Sequence, residues 1–494
     1  MTGFQRRQIL KAFGALTATS VLPAPSLARS TDMPEWHIGW QNPVQRHLET
    51  RSLKRLSGVL PDELRGTFYR NGPAIHERGG KRMQHWFDGD GMVQAFRFSD
   101  GGISHLGRPV ETKLYKQNEQ EGRFTVGGFG TTVTDSFAVS SPNDANAANT
   151  SVLRVGDELW ALWEAGSAYR LNPETLETYG PKIWTDGLQG MPFSAHPKVD
   201  QLGNIWNFGQ SVHLNALIIY KLDPAGTLLT AKIVRDVPPG MIHDFCITDR
   251  HLIFMANSFR ATLRGRNYLS QFTYLEDAPQ RVIVLDMDNL EERRDYELPP
   301  GFQFHFGNAY QEVGGDIRFT LCATDRDQFV SRGAKQVMRG ELPDGDVSQL
   351  CEVVLSGQGQ AKVTPISDRA VGEEFPQFNP NFGGKAARYL YTVGNQLKDR
   401  PGRTAILRHD LQSGDVQAYD YGETALVEEH LFVPSVSPKS ETDGWLIGTV
   451  LDFKTKVTRV NILRADALSD GPVGVFELPY ALPLGFHGTW AGSR

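Results

Sequence analysis

The chain has 494 residues, with 51 lysines and arginines against 57 acidic residues and a formal net charge of −6. Hydrophobic residues make up 40% of the sequence and charged residues 22%, which is the balance of a globular protein and excludes a disordered chain. The slight acidity, without a basic stripe or run, excludes a nucleic-acid partner. Beyond the N-terminal signal described next, no stretch is long and apolar enough to predict a membrane span.

Residues 1–28 show, in order, the features of an export signal. A twin-arginine pair, Arg6-Arg7, precedes an apolar, small-residue stretch over residues 12–22, and residues 26–28 have a small-x-small cleavage pattern. The apolar stretch is too short for a permanent membrane anchor. We therefore predict a twin-arginine signal and a periplasmic protein; the alternative is an ordinary basic N-terminal tail.

A short unit recurs through the remaining residues, 29–494. Each copy is an apolar strand, a polar or glycine turn and the start of a second strand. Seven copies occur, at residues 96–102, 169–173, 220–224, 284–288, 354–359, 407–411 and 462–466. Strands and turns at such a period predict an all-β, seven-bladed β-propeller. The spacing exceeds the roughly 40–45 residues of a compact blade, so we expect long loops that form a cap on one face.

Three cysteines permit at most one disulfide. Cys246 and Cys322 lie in apolar, strand-like runs, which favours buried thiols that pack as small hydrophobic side chains.

Four histidines stand in unusual contexts: His196 in SAHPK, His243 in IHDF, His305 in FHFGNAY and His487 in FHGTW. Each falls in a different interval of the repeat, and the inner strands of a propeller converge on its axis, so the four side chains are expected to meet. Four imidazoles without a thiolate suit a redox metal such as iron and argue against a structural zinc site. We expect the other nine histidines to be structural.

These four contexts resemble those of the carotenoid cleavage oxygenases, and the similarity extends over residues 35–490. It includes residues 68–73 (FYRNGP), 87–92 (FDGDGM) and the Phe375-Pro376 pair. The resemblance implies that His196, His243, His305 and His487 bind one Fe(II) per chain.

The same resemblance implies three glutamates that orient the ligand imidazoles through their second ring nitrogens. The matching residues are Glu164, Glu374 and Glu429. Glu373 and Glu428 are adjacent competitors, and because neighbours in a strand face opposite sides, only one of each pair is expected to point inward.

The family resemblance implies a dioxygenase that uses O2 to cleave a conjugated C=C bond into two carbonyl products. Stilbene-cleaving members place a lysine where this chain has Trp163, so we expect an apocarotenoid or carotenoid substrate, with Trp163 beside it. A stilbene-type aromatic alkene and a retinoid-type isomerisation are the alternatives, and a non-enzymatic binding propeller is a third. Thr150 matches a family position that lines the open face of the metal; the alternative is a β-branched residue that only favours a strand.

An apolar polyene partitions into membranes, so peripheral membrane contact at the cavity mouth is a further expectation. Residues 124–129 and 268–274 are candidate segments for that mouth. The alternative is that both are buried loops.

Overall fold

The computed structural model describes residues 33–262, 265, 267–345 and 347–493. Within these ranges, seven β-sheets of four or five antiparallel strands form a ring, which confirms the predicted seven-bladed propeller. The proposed signal at residues 1–28 lies outside the described residues.

The blades are numbered in chain order, and their strands are given from the axis outward. Blade 1 contains His487–Gly492, Gly66–Ile75, Asp90–Ser99, Gly102–Pro109 and Leu48–Ser52. Blade 2 contains Ser151–Val155, Glu158–Leu162, Tyr169–Leu171 and Thr178–Pro181. Blade 3 contains Lys198–Val199, Ile205–Ser211, Ala216–Leu222 and Leu228–Val234. Blade 4 contains Phe245–Ile247, His251–Ala256, Gln280–Asp286 and Arg293–Leu298.

The remaining three blades follow the same plan. Blade 5 contains Phe302–Gln311, Ile317–Thr324, Gln349–Leu355 and Ala361–Pro365. Blade 6 contains Glu374–Gln377, Tyr389–Gln396, Arg403–Asp410 and Val416–Asp420. Blade 7 contains Ala425–Pro434, Gly444–Asp452, Val457–Arg464, Pro472–Glu477 and Lys54–Gly58.

The recurring unit in the sequence marks the same place in every blade. Each copy lies at the end of the third strand from the axis and at the turn that follows it. In blade 3, for example, the strand ends at Leu222, and the Asp223 carboxylate accepts the backbone N–H groups of Ala225 and Thr227. The side chain of Asp223 thereby stabilises the turn through residues close in the chain, and for that reason the turn can be predicted from sequence.

The ring is closed twice by strands from opposite ends of the chain. His487–Gly492 pairs with Gly66–Ile75 and becomes the innermost strand of blade 1. Lys54–Gly58 pairs with Pro472–Glu477 and becomes the outermost strand of blade 7. Each closure binds an early strand to a late one, so the two ends of the ring cannot separate without breaking a sheet.

The core is a series of layers between neighbouring blades. In His251–Ala256, Leu252 and Phe254 pack against blade 3, whereas Ile253 and Met255 pack against blade 5. Successive side chains of a strand point to opposite faces, so a strand buried on both sides is apolar throughout. All three cysteines are free and buried; Cys246 and Cys351 lie in the layer between blades 4 and 5.

Long connections cover one face of the ring and form the predicted cap. Its helices and short hairpins are the α-helices Lys113–Glu121 and Ala334–Met338, the π-helical turn Phe329–Gly333, the hairpins Glu77–Arg78 with Lys81–Arg82 and Phe259–Ala261 with Phe272–Tyr274, and the 3-10 helices Glu35–Trp40, Trp86–Asp88, Pro142–Ala145, Asp186–Leu188, Val212–Leu214, Leu269–Gln271 and Arg369–Val371. The 3-10 helices Pro380–Phe382 and Leu468–Asp470 lie on the opposite face, in the turns after the first strand of blade 6 and the third strand of blade 7. The helix Lys113–Glu121 begins at Thr112, whose side chain accepts the N–H of Tyr115, and ends at Gly122 with a φ of +62°. Among the described helices, none combines the length and the apolar character needed to span a bilayer.

Two cap segments were candidates for a membrane-facing mouth. Phe124 and Val126 are buried, as are Leu269 and Phe272. Phe272 stacks on Phe259, with ring centroids 5.2 Å apart. The alternative of buried loops therefore describes these four side chains, which hold the cap together.

Replacing a large side chain between two blades is expected to destabilise the whole ring. Phe254 is fully buried and stacks on Phe245, with ring centroids 5.1 Å apart. Phe254→Ala should lower the free energy of unfolding by about 3–5 kcal/mol, because the cavity cannot fully collapse. Val416→Ala, at an exposed site, should change it by less than about 0.5 kcal/mol. Urea denaturation followed by circular dichroism measures both, and equal midpoints would contradict the packing described here.

Candidate metal centre

Four histidines reach the axis from four different blades. His196 and His243 immediately precede the innermost strands of blades 3 and 4, His305 lies within that of blade 5, and His487 begins that of blade 1. They are separated by up to 291 positions in the chain, and only the closure of the ring brings them together.

The four imidazoles converge through their Nε2 atoms. The Nε2 of His243 lies 2.9 Å from that of His196 and 3.2 Å from that of His305, which lies 3.1 Å from that of His487. One ring nitrogen from each of the four lies within 4.8 Å of the others. His243, His305 and His487 are buried and line a large cavity, whereas His196 is partly buried.

Three of the imidazoles are fixed by glutamates through the opposite nitrogen. His243 Nδ1 contacts Glu164, His305 Nδ1 lies 2.7 Å from Glu374 Oε2, and His487 Nδ1 lies 3.0 Å from Glu429 Oε1. These glutamates belong to blades 2, 6 and 7. With the four histidines, every blade of the ring therefore supplies one residue to the centre.

This arrangement fits a cation. A carboxylate beside Nδ1 holds the proton there, so Nε2 carries a lone pair. Three such lone pairs, and that of His196, face one another at distances where they would repel if nothing positive lay between them. Neutral imidazole nitrogens without a thiolate are the donors preferred by divalent iron and its neighbours in the first transition row.

His196 has a different partner. Its Nδ1 lies 3.9 Å from Oδ1 of Asp244, a buried carboxylate that accepts from Lys198 Nζ at 2.8 Å. Asp244 also accepts the backbone N–H groups of Phe245 and Phe306. It therefore joins blades 3, 4 and 5 behind the histidines. Asp244 belongs to the IHDF context of His243, but the context alone did not predict this role.

Burial and crowding set the charge of these groups. Burial lowers the pKa of His196 well below its usual range, and the neighbouring His243, His487 and His305 lower it further. His196 is therefore neutral, the form that binds metals. Burial raises the pKa of Glu429, but the His487 imidazole, the Arg70 guanidinium and the Gly488 N–H together outweigh burial and hold that pKa below its usual value.

Glu373 and Glu428, the neighbours of Glu374 and Glu429, face away from the four converging histidines. Glu373 is fully buried and contacts His409 Nε2 at 2.6 Å and Thr392 Oγ1 at 2.5 Å. Glu428 pairs with the Arg70 guanidinium at 2.6 Å. Of each adjacent pair, the structure places Glu374 and Glu429 against the histidines.

The inner strands are distorted where they supply the centre. The pairing of each strand with its neighbour shifts around His305, around Glu374 and between Val427 and His430. Such bulges redirect side chains that a regular strand would place elsewhere. Phe375 adopts a φ of +55°, rare for a residue with a side chain, and its ring stacks on His305 with centroids 5.2 Å apart.

A cavity of about 1130 Å3 lies between the cap and the centre. Its lining includes His243, His305 and His487, whereas His196 is not among the lining residues. Its wall includes many aromatic side chains, among them Trp86, Phe87, Phe129, Tyr268, Phe304 and Phe375. Phe129 and Tyr268 belong to the two segments that were predicted to border the cavity mouth. The wall as a whole draws on five separate segments, a set of contacts that no local pattern records.

Both remaining candidate residues lie in the cavity wall. Thr150 is buried, its carbonyl accepts the His487 N–H at 3.3 Å, and its hydroxyl donates to Asn149 at 3.2 Å. Trp163 is half-buried and its backbone bridges to Phe193. Thr150 therefore adjoins a metal-facing histidine, and Trp163 precedes the glutamate that contacts His243.

Known proteins resemble this chain over almost its whole length. The apocarotenoid-15,15'-oxygenase of Synechocystis is 30% identical to this chain, and the aligned region covers 94% of this chain and 97% of the relative. Resveratrol cleavage oxygenase 1 of Aspergillus fumigatus is 26% identical to this chain, and the aligned region covers 94% of this chain and 96% of the relative. A solved structure of cobalt-substituted Synechocystis apocarotenoid oxygenase superposes with a TM-score of 0.81 at 28% identity, over 94% of this chain and 100% of that one.

The family comparison agrees with these relatives. Residues 41–492 match the family described as retinal pigment epithelial membrane protein. That range contains all four histidines of the centre and their three glutamates. The chain therefore belongs to this family, the carotenoid cleavage oxygenases that its histidine contexts resemble.

Proposed function

We propose that the protein is an Fe(II)-dependent dioxygenase that cleaves a conjugated C=C bond of an apocarotenoid or carotenoid into two carbonyl products. The observation that carries the proposal is the convergence of four imidazoles beside a large cavity, whose lining includes three of them. His196, His243, His305 and His487 would hold one iron per chain. When bound, ferrous iron supplies the electron density that lets O2 react with an alkene.

The residues of this chain have separate tasks in that reaction. Glu164, Glu374 and Glu429 keep the Nδ1 protons in place and fix the planes of three imidazoles. Imidazole donors would not offset the charge of the metal, and the three glutamates behind them would balance it. Thr150, beside His487, presents a small polar wall that restricts the space next to the ligands.

The cavity supports a polyene substrate. Its volume of about 1130 Å3 exceeds that of a typical drug-sized site, and its wall includes many aromatic side chains. A linear conjugated chain buries its whole length against such a wall without leaving a polar group unpaired. Trp163 occupies the lining where a phenol-binding lysine would stand, and the Synechocystis relative is named for an apocarotenoid.

The cellular location is a further proposal. The twin-arginine pattern at residues 1–28 supports export of a folded, iron-loaded protein to the periplasm. Peripheral membrane contact would deliver the apolar substrate. Residues 132–138 line the cavity mouth and include the exposed Phe137, which makes this segment a better candidate for such contact than residues 124–129.

Loss of one ligand should empty the centre. His305→Ala removes one of four nitrogen donors, so we expect loss of stoichiometric iron and of cleavage activity. Glu374→Gln should weaken iron binding or activity by about 10–100-fold, because the imidazole loses its anionic partner. Iron analysis of the purified folded proteins measures the effect.

Glu373→Gln is the matched control, since Glu373 contacts His409 and not a ligand. It should keep its iron. Retention of full iron by His305→Ala would remove His305 from the site, and a larger loss in Glu373→Gln than in Glu374→Gln would reverse the assignment of that pair.

The protein should prefer an apocarotenal to a hydroxystilbene of the same concentration. A phenol buried without a partner costs about 1–3 kcal/mol, so kcat/KM should differ by roughly tenfold to hundredfold. Trp163→Lys should narrow the difference, and Trp163→Phe, which keeps an apolar ring, should preserve it. A native preference for the stilbene would overturn the substrate class and leave the iron site intact.

Replacing Arg6 and Arg7 together by lysine should retain the protein in the cytoplasm, because the export receptor reads the arginine pair and not its charge alone. Fractionation of cells followed by immunoblotting measures the distribution, and the retained protein should still bind iron. Periplasmic accumulation of the double variant would show that another export route operates.

A further inference from the structure

Arg403 lies in the cavity wall without an acidic partner. It is the first residue of the strand Arg403–Asp410 in blade 6 and contributes to the cavity lining. Its Nε donates to the carbonyl of Gly372, and its Nη2 donates to Ser348 Oγ at 3.0 Å. Among the described residues, no carboxylate lies within ion-pairing distance of the guanidinium, and Nη1 has no hydrogen-bond partner.

The neighbouring charged groups of the lining are already engaged. Glu374 contacts His305, and Glu428 pairs with Arg70 at 2.6 Å. The other arginine of the lining, Arg326, pairs with Glu276 at 2.6 Å near the surface. Of the two lining arginines, Arg403 is thus the one whose charge is left without a counter-ion inside the protein.

A guanidinium enclosed in this way is costly. Burial lowers the pKa of Arg403, although Glu374, Cys322 and Glu373 oppose that effect from a distance. Arginine remains protonated in proteins, so the charge cannot be removed by deprotonation. An enclosed charge without a counter-ion is destabilising, and a fork of free N–H donors matches a carboxylate.

We propose that Arg403, with Ser348 and Gln396 beside it, binds the carboxylate end of a linear polyene acid. Gln396 also lines the cavity, and its side chain lies next to Gly372, whose carbonyl holds the Arg403 Nε. The inference rests on the proposed function for the polyene character of the ligand. The carboxylate supplies the missing counter-ion while the hydrocarbon chain lies against the aromatic wall.

The position of Arg403 gives this subsite a consequence for the reaction. Blade 6 also supplies Glu374, the partner of His305, so the anchor lies on one side of the histidines. The exposed mouth at residues 132–138 is tied instead to the blade 4 loop, where Asn267 donates to Thr132 at 3.2 Å. A chain held by its carboxylate at Arg403 therefore presents one fixed double bond to the centre.

Binding is tested with the iron-loaded protein and two polyenes of equal length, an apocarotenoic acid and the corresponding apocarotenol. Trp86 and Trp163 line the cavity, so quenching of tryptophan fluorescence at pH 7.5 reports Kd without requiring turnover. The native protein should bind the acid at least about tenfold more tightly, as expected for hydrogen bonds to a charged group. Arg403→Gln should reduce that ratio to about threefold or less.

Two further variants provide the controls. Arg403→Lys keeps the positive charge and should retain most of the preference for the acid. Arg326→Gln removes an arginine that is already paired with Glu276, and it should leave the ratio unchanged. Circular dichroism of each variant confirms that the ring is folded before its Kd values are compared.

Equal affinity of the native protein for acid and alcohol would overturn the proposal, whether or not any variant folds. An undiminished ratio in folded Arg403→Gln would also overturn it. Failure of the proposed function is a separate result: the native protein would bind the acid through Arg403 but cleave neither polyene. In a cleaving enzyme, Arg403→Gln should broaden the set of products, because the chain loses its fixed position.

Discussion

The centre depends on four imidazoles from four blades being held with one ring nitrogen each in contact. Neighbouring Nε2 atoms lie 2.9–3.2 Å apart at the axis. No single helix or loop can supply groups that are up to 291 positions apart in the chain. A rigid ring can, because each histidine is fixed by its own inner strand and the separation of the strands is set by packed layers between blades. The rest of the fold fixes the positions of these inner strands.

The hydrogen bonds behind the histidines connect the inner strands of different blades. His305 and Glu374 join blades 5 and 6, while His487 and Glu429 join blades 1 and 7. His243 reaches across to Glu164 in blade 2. A buried carboxylate lowers the cost of its burial by accepting such bonds, and the bonds in turn determine which imidazole nitrogen is free. The same contacts thus orient the histidines and hold the inner strands of the ring together.

Part of this organisation could be predicted from sequence because it is local. The turn after the third strand of each blade, as at Asp223, is made by residues close in the chain, and so the seven copies could be counted. The histidine contexts carried the family resemblance. The sequence left open whether Phe124 and Phe272 are buried or border the cavity mouth, because a local pattern does not show what packs against a loop. The bulge at Phe375 and the lone charge of Arg403 likewise arise from tertiary packing, which no short pattern records.

The double closure also has a consequence for biosynthesis. The ribosome releases Gly66–Ile75 long before His487–Gly492, its inner partner, has been made. Until then blade 1 has an unpaired inner edge, the kind of edge that recruits strands from other chains. The last ligand of the centre and the strand that covers this edge arrive together. Completion of the four-histidine centre and protection against edge-to-edge association therefore coincide late in the synthesis of the chain.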